Sequence, residues 1–122
     1  MNPAFVLHRR AAALLGLVAV VLGAMGAHGP VHEALLESGK LAGWETAHRY
    51  HLLHALMLWL LASVPTARRL PWALIALGLL AFSGSIYLLS LWPSLKWLGP
   101  VTPLGGLLLM IGWLSLACGR RA

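Results

Sequence analysis

The sequence predicts an all-α integral membrane protein, a four-helix bundle with both termini cytoplasmic. Three observations carry that prediction. The 122 residues are 60% apolar and 10% charged, with a mean hydropathy of +0.82, against about 45–50% and about 25% in an average soluble domain. The apolar residues fall into four runs separated by connections that carry proline or glycine. Six of the seven arginines sit in pairs at the ends of those runs, Arg9 with Arg10, Arg68 with Arg69 and Arg120 with Arg121. A chain this small cannot hide so much hydrocarbon behind so few charges in water, so residues 1–122 form a single transmembrane domain.

The first run, residues 11–27, reads AAALLGLVAVVLGAMGA without a charge. As a helix it rises about 25 Å, close to the hydrocarbon thickness of a bilayer. The basic residues before it, with Ala24 and Gly26 near its end, also fit a signal peptide. The length of the run and the three further spans favour a membrane helix. In the connection that follows, Gly29 and Pro30 break the helix, and VHEALLESG reads as one or two helical turns stopped by Gly39. All three acidic residues, Glu33, Glu37 and Glu45, lie in or just after this connection.

The second run is apolar only over residues 55–64, with Ser63 interrupting, which is too short to span. A helix over residues 44–64 reaches roughly 31 Å, but it takes the three histidines of HRYHLLH into or near the membrane. Pro65 ends it, and PTARRLP makes a tight basic turn. The third run, residues 71–91, is broken only by Ser83, Ser85, Tyr87 and Ser90. Trp92 and Trp97 stand in the next connection where interfacial anchors belong. The fourth run, residues 101–118, opens on Thr102-Pro103, which suits a helix start, and Arg120 and Arg121 stop it.

Four helices place both termini on one side, with the six paired arginines. The other side has Lys40, Arg49 and Lys96 together with every carboxylate, so the arginine side is cytoplasmic. Lipid gives little hydrophobic drive for helix association, and small residues must allow close approach. Candidate packing positions are Gly16, Gly23, Gly84, Gly105, Gly106 and Gly112, with tight contacts expected from helices one and four. Counting about 1.5 Å per residue from the arginine edge puts His28 and His48 near 25 Å, His51 near 20 Å and His54 near 15 Å. Tyr87 falls near the height of His28, and Ser83 and Ser85 near that of His51. An imidazole exposed to lipid leaves polar nitrogens unpaired at a cost of several kcal/mol. His28, His51, His54, Tyr87, Ser83 and Ser85 are therefore expected to form an inward polar cluster, a wedge open to the outer side and narrowing to His54.

Buried hydrogen bonding between helices is the first reading of that cluster. The alternative is proton- or metal-linked transport or sensing, since imidazole titrates near neutral pH and binds divalent transition metals. His28, His48 and His51 are the weak metal candidates. H-x-x-H-x-x-H spacing sets neighbouring rings about 5 Å or more apart with no common focus, and only His28 and His32 can complete a set from outside the helix. No nucleophile–base pair, H-E-x-x-H or phosphate loop is present, so no enzyme and no cofactor is predicted. The +6 formal charge is not massed on one face, which excludes nucleic acid as a partner. Cys118 is the only cysteine, so no internal disulfide forms. The lipid bilayer is the predicted partner, with a protein partner or self-association left open.

The segments GAMGAHG (residues 23–29), WETAHRYHLLHAL (44–56), FSGSIYLL (82–89) and GPVTPLGG (99–106), with Gly112-Trp113, resemble the YgdD-like (DUF423-type) family of small multi-pass membrane proteins. The resemblance runs from about Gly16 to Trp113. It implies three to four membrane helices, a location in the bacterial cytoplasmic (inner) membrane, and no established biochemical role. It maps recurring positions onto His28, Tyr50, His51, His54, Ser83, Ser85 and Tyr87, whereas His32 and His48 fall outside the pattern. The expected function is a structural or accessory membrane component.

Overall fold

Proline, glycine and helix caps, rather than polarity, set where these helices begin and end. A computed structural model describes residues 2–64 and 68–119 and is helical through most of them: α1 (Pro3–Ala27), α2 (Pro30–Ser38), α3 (Leu41–Ser63), α4 (Arg69–Leu91), a 3₁₀ turn (Lys96–Leu98) and α5 (Val101–Ala117). Pro65, the centre of the basic turn, and Arg120 and Arg121 lie outside the described residues.

Helix α1 starts eight residues before the apolar run does. Pro3 occupies its first turn, and the Asn2 side chain accepts a hydrogen bond from the Ala4 N–H at 3.0 Å. His8, Arg9 and Arg10 are polar but do not break a helix. Helix α3 likewise begins at Leu41, before the expected residue 44. Gly29 and Gly39 bracket α2 with φ of +86° and +72°, backbone angles that only glycine adopts without strain.

The long helices alternate in direction, with α1 on α3, α3 on α4 and α4 on α5. At one end His8 stacks on Trp72 with ring centroids 4.0 Å apart, and the Arg68 guanidinium donates to the Ser115 carbonyl. The starts of α1 and α4 therefore meet the finish of α5 there, and Arg68 opposes the negative end of the α5 dipole. Two apolar clusters form the core. Ala12, Leu58, Ile75, Ala76, Leu79 and Leu109 pack toward that end, while Leu35, Trp44, Ala47 and Tyr87 pack beneath α2.

Helices α4 and α5 approach most closely. A β-carbon on Gly105 would overlap the backbone of Ala81 and Phe82, one on Gly78 would lie 2.8 Å from the Leu109 nitrogen, and one on Gly112 would lie 2.7 Å from Ile75 Cγ1. Gly106 makes only ordinary contact with the Phe82 ring, at 3.5 Å. Gly16 and Gly84 have nothing within 4 Å of a would-be β-carbon, so they do not mediate close packing in this structure. Their spacing marked them, but no neighbouring atom comes close enough to need the missing β-carbon, and Gly84 borders a hollow.

Among the described residues three helices are long and apolar enough to cross a membrane: Pro3–Ala27, Arg69–Leu91 and Lys96–Ala117, with hydropathies of 1.9, 2.1 and 1.6. Helix α3 is not among them. Its average is lowered by exposed Glu45 and Arg49 and by two inward residues: His51 and His54 are only 4% and 3% exposed, whereas Leu52, Leu53, Leu56 and Leu60 are 47–58% exposed. Over its middle turns the imidazoles face in and leucines face out, although Trp44, Ala47, Ala55, Leu58 and Ala62 are buried with them.

Candidate functional site

Helix α1 carries no polar side chain between Arg10 and its last residue, yet it receives three side-chain hydrogen bonds from α3. Trp44 Nε1 donates to the Leu22 carbonyl at 3.0 Å, His48 Nε2 to Ala19 at 3.0 Å and His51 Nε2 to Leu15 at 2.8 Å. The donors step by four and three residues, and the acceptors step back by three and four, as two antiparallel helices in register must. Each carbonyl keeps a second lone pair beyond its helical bond, and that lone pair is the acceptor. His32 Nδ1 reaches the Gly26 carbonyl in the same way, at 2.7 Å from α2.

The small residues of α1 make room for these rings. A β-carbon on Gly23 would come within 2.5 Å of His48 Nε2, and one on Gly26 would overlap the Trp44 indole. Ala19 is completely buried beside them. The approach is of ring to backbone, not backbone to backbone.

His51 joins three helices. Its Nε2 can only donate to the Leu15 carbonyl, and in the neutral ring Nδ1 then accepts from the Tyr87 hydroxyl at 2.9 Å. His54 has the opposite tautomer: Nδ1 donates to the Tyr50 carbonyl in its own helix at 2.7 Å, and Nε2 accepts from the Trp113 indole at 3.0 Å. All four ring nitrogens are engaged. Further ties run alongside, from Ser83 Oγ to the Ala47 carbonyl at 2.8 Å and from Trp72 Nε1 to the Leu58 carbonyl at 3.1 Å. Ser85 Oγ donates to the Phe82 carbonyl at 3.0 Å and accepts from Thr102 of α5. The site is thus a hydrogen-bonded layer centred on α3, set between the two apolar clusters.

Of the residues expected in the cluster, His51 and Tyr87 meet directly, Ser83 joins through the α3 backbone, and Ser85 bonds away toward α5. His54 turns to Trp113. His28 does not join them: it is exposed just past the end of α1, because the extended backbone there, φ −141° and ψ 146°, carries the chain away toward α2. The metal set His28, His48 and His51 is likewise not assembled. His28 stands apart, and the ring nitrogens facing α1 already donate to carbonyls. Among the described residues no group of three or more His, Cys, Asp or Glu is placed to hold a metal ion. Where the wedge was expected there are a crevice of about 380 Å³ by Gly23, Trp44, Glu45, His48 and Arg49 and a hollow of about 140 Å³ beside His51.

Sequence reasoning passed over Trp44 and Trp113 as members of this layer and kept His48 only as a weak metal candidate. Their shared signal was an N–H donor on an aromatic ring within a predicted span, and only Trp44 and His48 stand at helical spacing from His51. Their acceptors, main-chain carbonyls in two cases, have no sequence signature.

Comparison with known proteins places this geometry in a family. Residues 22–106 match the family described as protein of unknown function DUF423. A UPF0382 membrane protein of Staphylococcus aureus is 40% identical, covering 85% of this chain and 86% of the relative. The UPF0382 membrane protein YwdK of Bacillus subtilis is also 40% identical, over 85% and 87%. A UPF0382 membrane protein of Schizosaccharomyces pombe is 37% identical, over 86% and 93%. No solved structure matches. With most of its length aligned to these relatives, and with three helices able to cross a bilayer, the chain is a membrane protein and belongs to the DUF423 family.

Proposed function

We propose that the protein is a structural or accessory component of the bacterial cytoplasmic membrane, a four-helix bundle whose histidines hold it together and perform no catalysis. Helix α3 is the fourth span, both termini lie in the cytoplasm, and α2 rests at the outer surface. The observation that carries this reading is the saturation of His51 and His54, in which each ring nitrogen already has a partner at 2.7–3.0 Å. A proton or metal carrier needs a nitrogen free to exchange, and these two rings offer none without breaking an interhelical or helix-internal bond. Arg9, Arg10, Arg68 and Arg69 gather at the end assigned to the cytoplasm, and Lys40, Arg49 and Lys96 stand on the connections and helix end opposite, as the positive-inside rule requires.

Two measurements test it together. Cys118, the sole cysteine and exposed, is expected to resist a membrane-impermeant thiol reagent in intact cells and to react after lysis. His51→Leu and His54→Leu are expected to lower the yield of monodisperse protein from mild detergent, with no metal lost on element analysis. Labelling of Cys118 from outside overturns the orientation. Unchanged yield, or stoichiometric metal in the wild type that the variants lack, overturns the structural role.

A further inference from the structure

Helices α1 and α4 both pack on α3, and between them they leave an open groove of about 580 Å³. Its walls include Leu14 and Val18 on one side and Trp72, Ala73, Leu77 and Leu80 on the other, without a polar side chain that hydrogen-bonds into it. Past Leu15, Val18 and Leu80 it runs on into the hollow that ends at Gly84, His51 and Tyr87. From Ala11 to Leu22 along α1 this is roughly 16 Å, the hydrocarbon depth of one leaflet at about half of 30 Å.

We propose that this groove seats an acyl chain of an anionic phospholipid whose phosphate lies against Arg10 and Arg69. Arg10 precedes Leu14 by one turn on one wall, and Arg69 precedes Ala73 by one turn on the other, so each cation shares its helix face with the groove lining. Both arginines are exposed. His8, stacked on Trp72, adds an imidazole at the same mouth. No carboxylate competes, because Glu33, Glu37 and Glu45 lie on α2 and at the start of α3, at the opposite end. A second copy of the chain fits less well: a helix about 10 Å across is a poor match for a hollow that tapers to 140 Å³. A zwitterionic headgroup brings its own cation and gains less from two arginines.

The proposal rests on the arginine-bearing end lying at a bilayer surface, which the Cys118 labelling reads separately. Native mass spectrometry of the full chain in mild detergent, with equal dioleoyl-phosphatidylglycerol and dioleoyl-phosphatidylcholine, tests the site itself. The wild type is expected to retain phosphatidylglycerol preferentially. Arg10→Gln and Arg69→Gln should each reduce the preference by about fivefold. Ala73→Trp, which fills the groove, should remove both lipids, and Lys40→Gln with Lys96→Gln should leave the preference unchanged. Equal retention of the two lipids, a preference that survives both arginine changes, or a dimer mass in place of lipid adducts overturns it.

Discussion

The ring of His48 occupies the volume that a β-carbon on Gly23 would take, with its Nε2 2.5 Å from that position. The same nitrogen donates to the Ala19 carbonyl one turn earlier. Gly23→Ala must therefore push the ring off its acceptor, and Gly26→Ala must do the same to Trp44. Overpacking and a lost hydrogen bond together should destabilise each variant by about 1–3 kcal/mol in a detergent unfolding titration. Gly16→Ala has open space around it and should be neutral. Equal effects at Gly16 and Gly23 would sink this account.

The two buried histidines should be distinguishable by nitrogen chemical shift. His51 is expected protonated at Nε2 and His54 at Nδ1, because carbonyl oxygens hold those sites and can only accept. Solid-state NMR of the protein in lipid at neutral pH reads both tautomers. A shared tautomer, or an imidazolium at His54, whose Nε2 faces the donor-only Trp113 indole, contradicts the geometry.

Trp113 and His54 are the direct side-chain link between α5 and α3. A double-mutant cycle of Trp113→Phe and His54→Leu should return a coupling of about 0.6 kcal/mol, and no more than about 1.7, the range for hydrogen bonds between membrane helices. A coupling indistinguishable from zero would mean that the indole points elsewhere.

Along α4 and α5 the cost of added methyl groups should follow the spacing of the backbones. Gly105→Ala meets the main chain of Ala81 and Phe82, which cannot move aside without displacing a helix, whereas Gly106→Ala meets only the edge of the Phe82 ring. Gly105→Ala should lower stability by at least about 1 kcal/mol more than Gly106→Ala. Gly112→Ala, against Ile75 Cγ1, should fall between them. The order is checked by thermal melts followed by circular dichroism, and a reversal of Gly105 and Gly106 would refute it.

The helical architecture was legible because 60% apolar content and arginine-flanked runs admit few alternatives. Helix ends were read less well. Polarity marked them in the sequence, but Asn2, Pro3 and Gly39 set them in the chain, and α1 therefore reaches back past Arg9 and Arg10. At the site, the inward turn of the α3 histidines toward Ser83 and Tyr87 was expected, but depth counting set Tyr87 level with His28, whereas it meets His51. His28 reached a similar count yet stands outside, because depth says nothing of where the chain turns away. Glycine spacing pointed to Gly23, Gly105 and Gly112 and equally to Gly16 and Gly84, and it passed over Gly78. A spacing rule finds a stripe, and only a neighbouring helix decides which stripe is covered. Trp44 and Trp113, and the bond that His48 makes, were missed because the acceptor an aromatic N–H meets depends on how the facing helices are rotated.

Since the acceptors on α1 belong to its main chain, α3 selects that helix by relief and not by chemical identity. A foreign hydrophobic segment with shallow positions where Gly23 and Gly26 stand, and bulk elsewhere, would be admitted as readily. Expressed as a separate peptide, α1 should then rejoin the remaining three long helices in the same bilayer, a form of fragment complementation in which most of its letters are interchangeable.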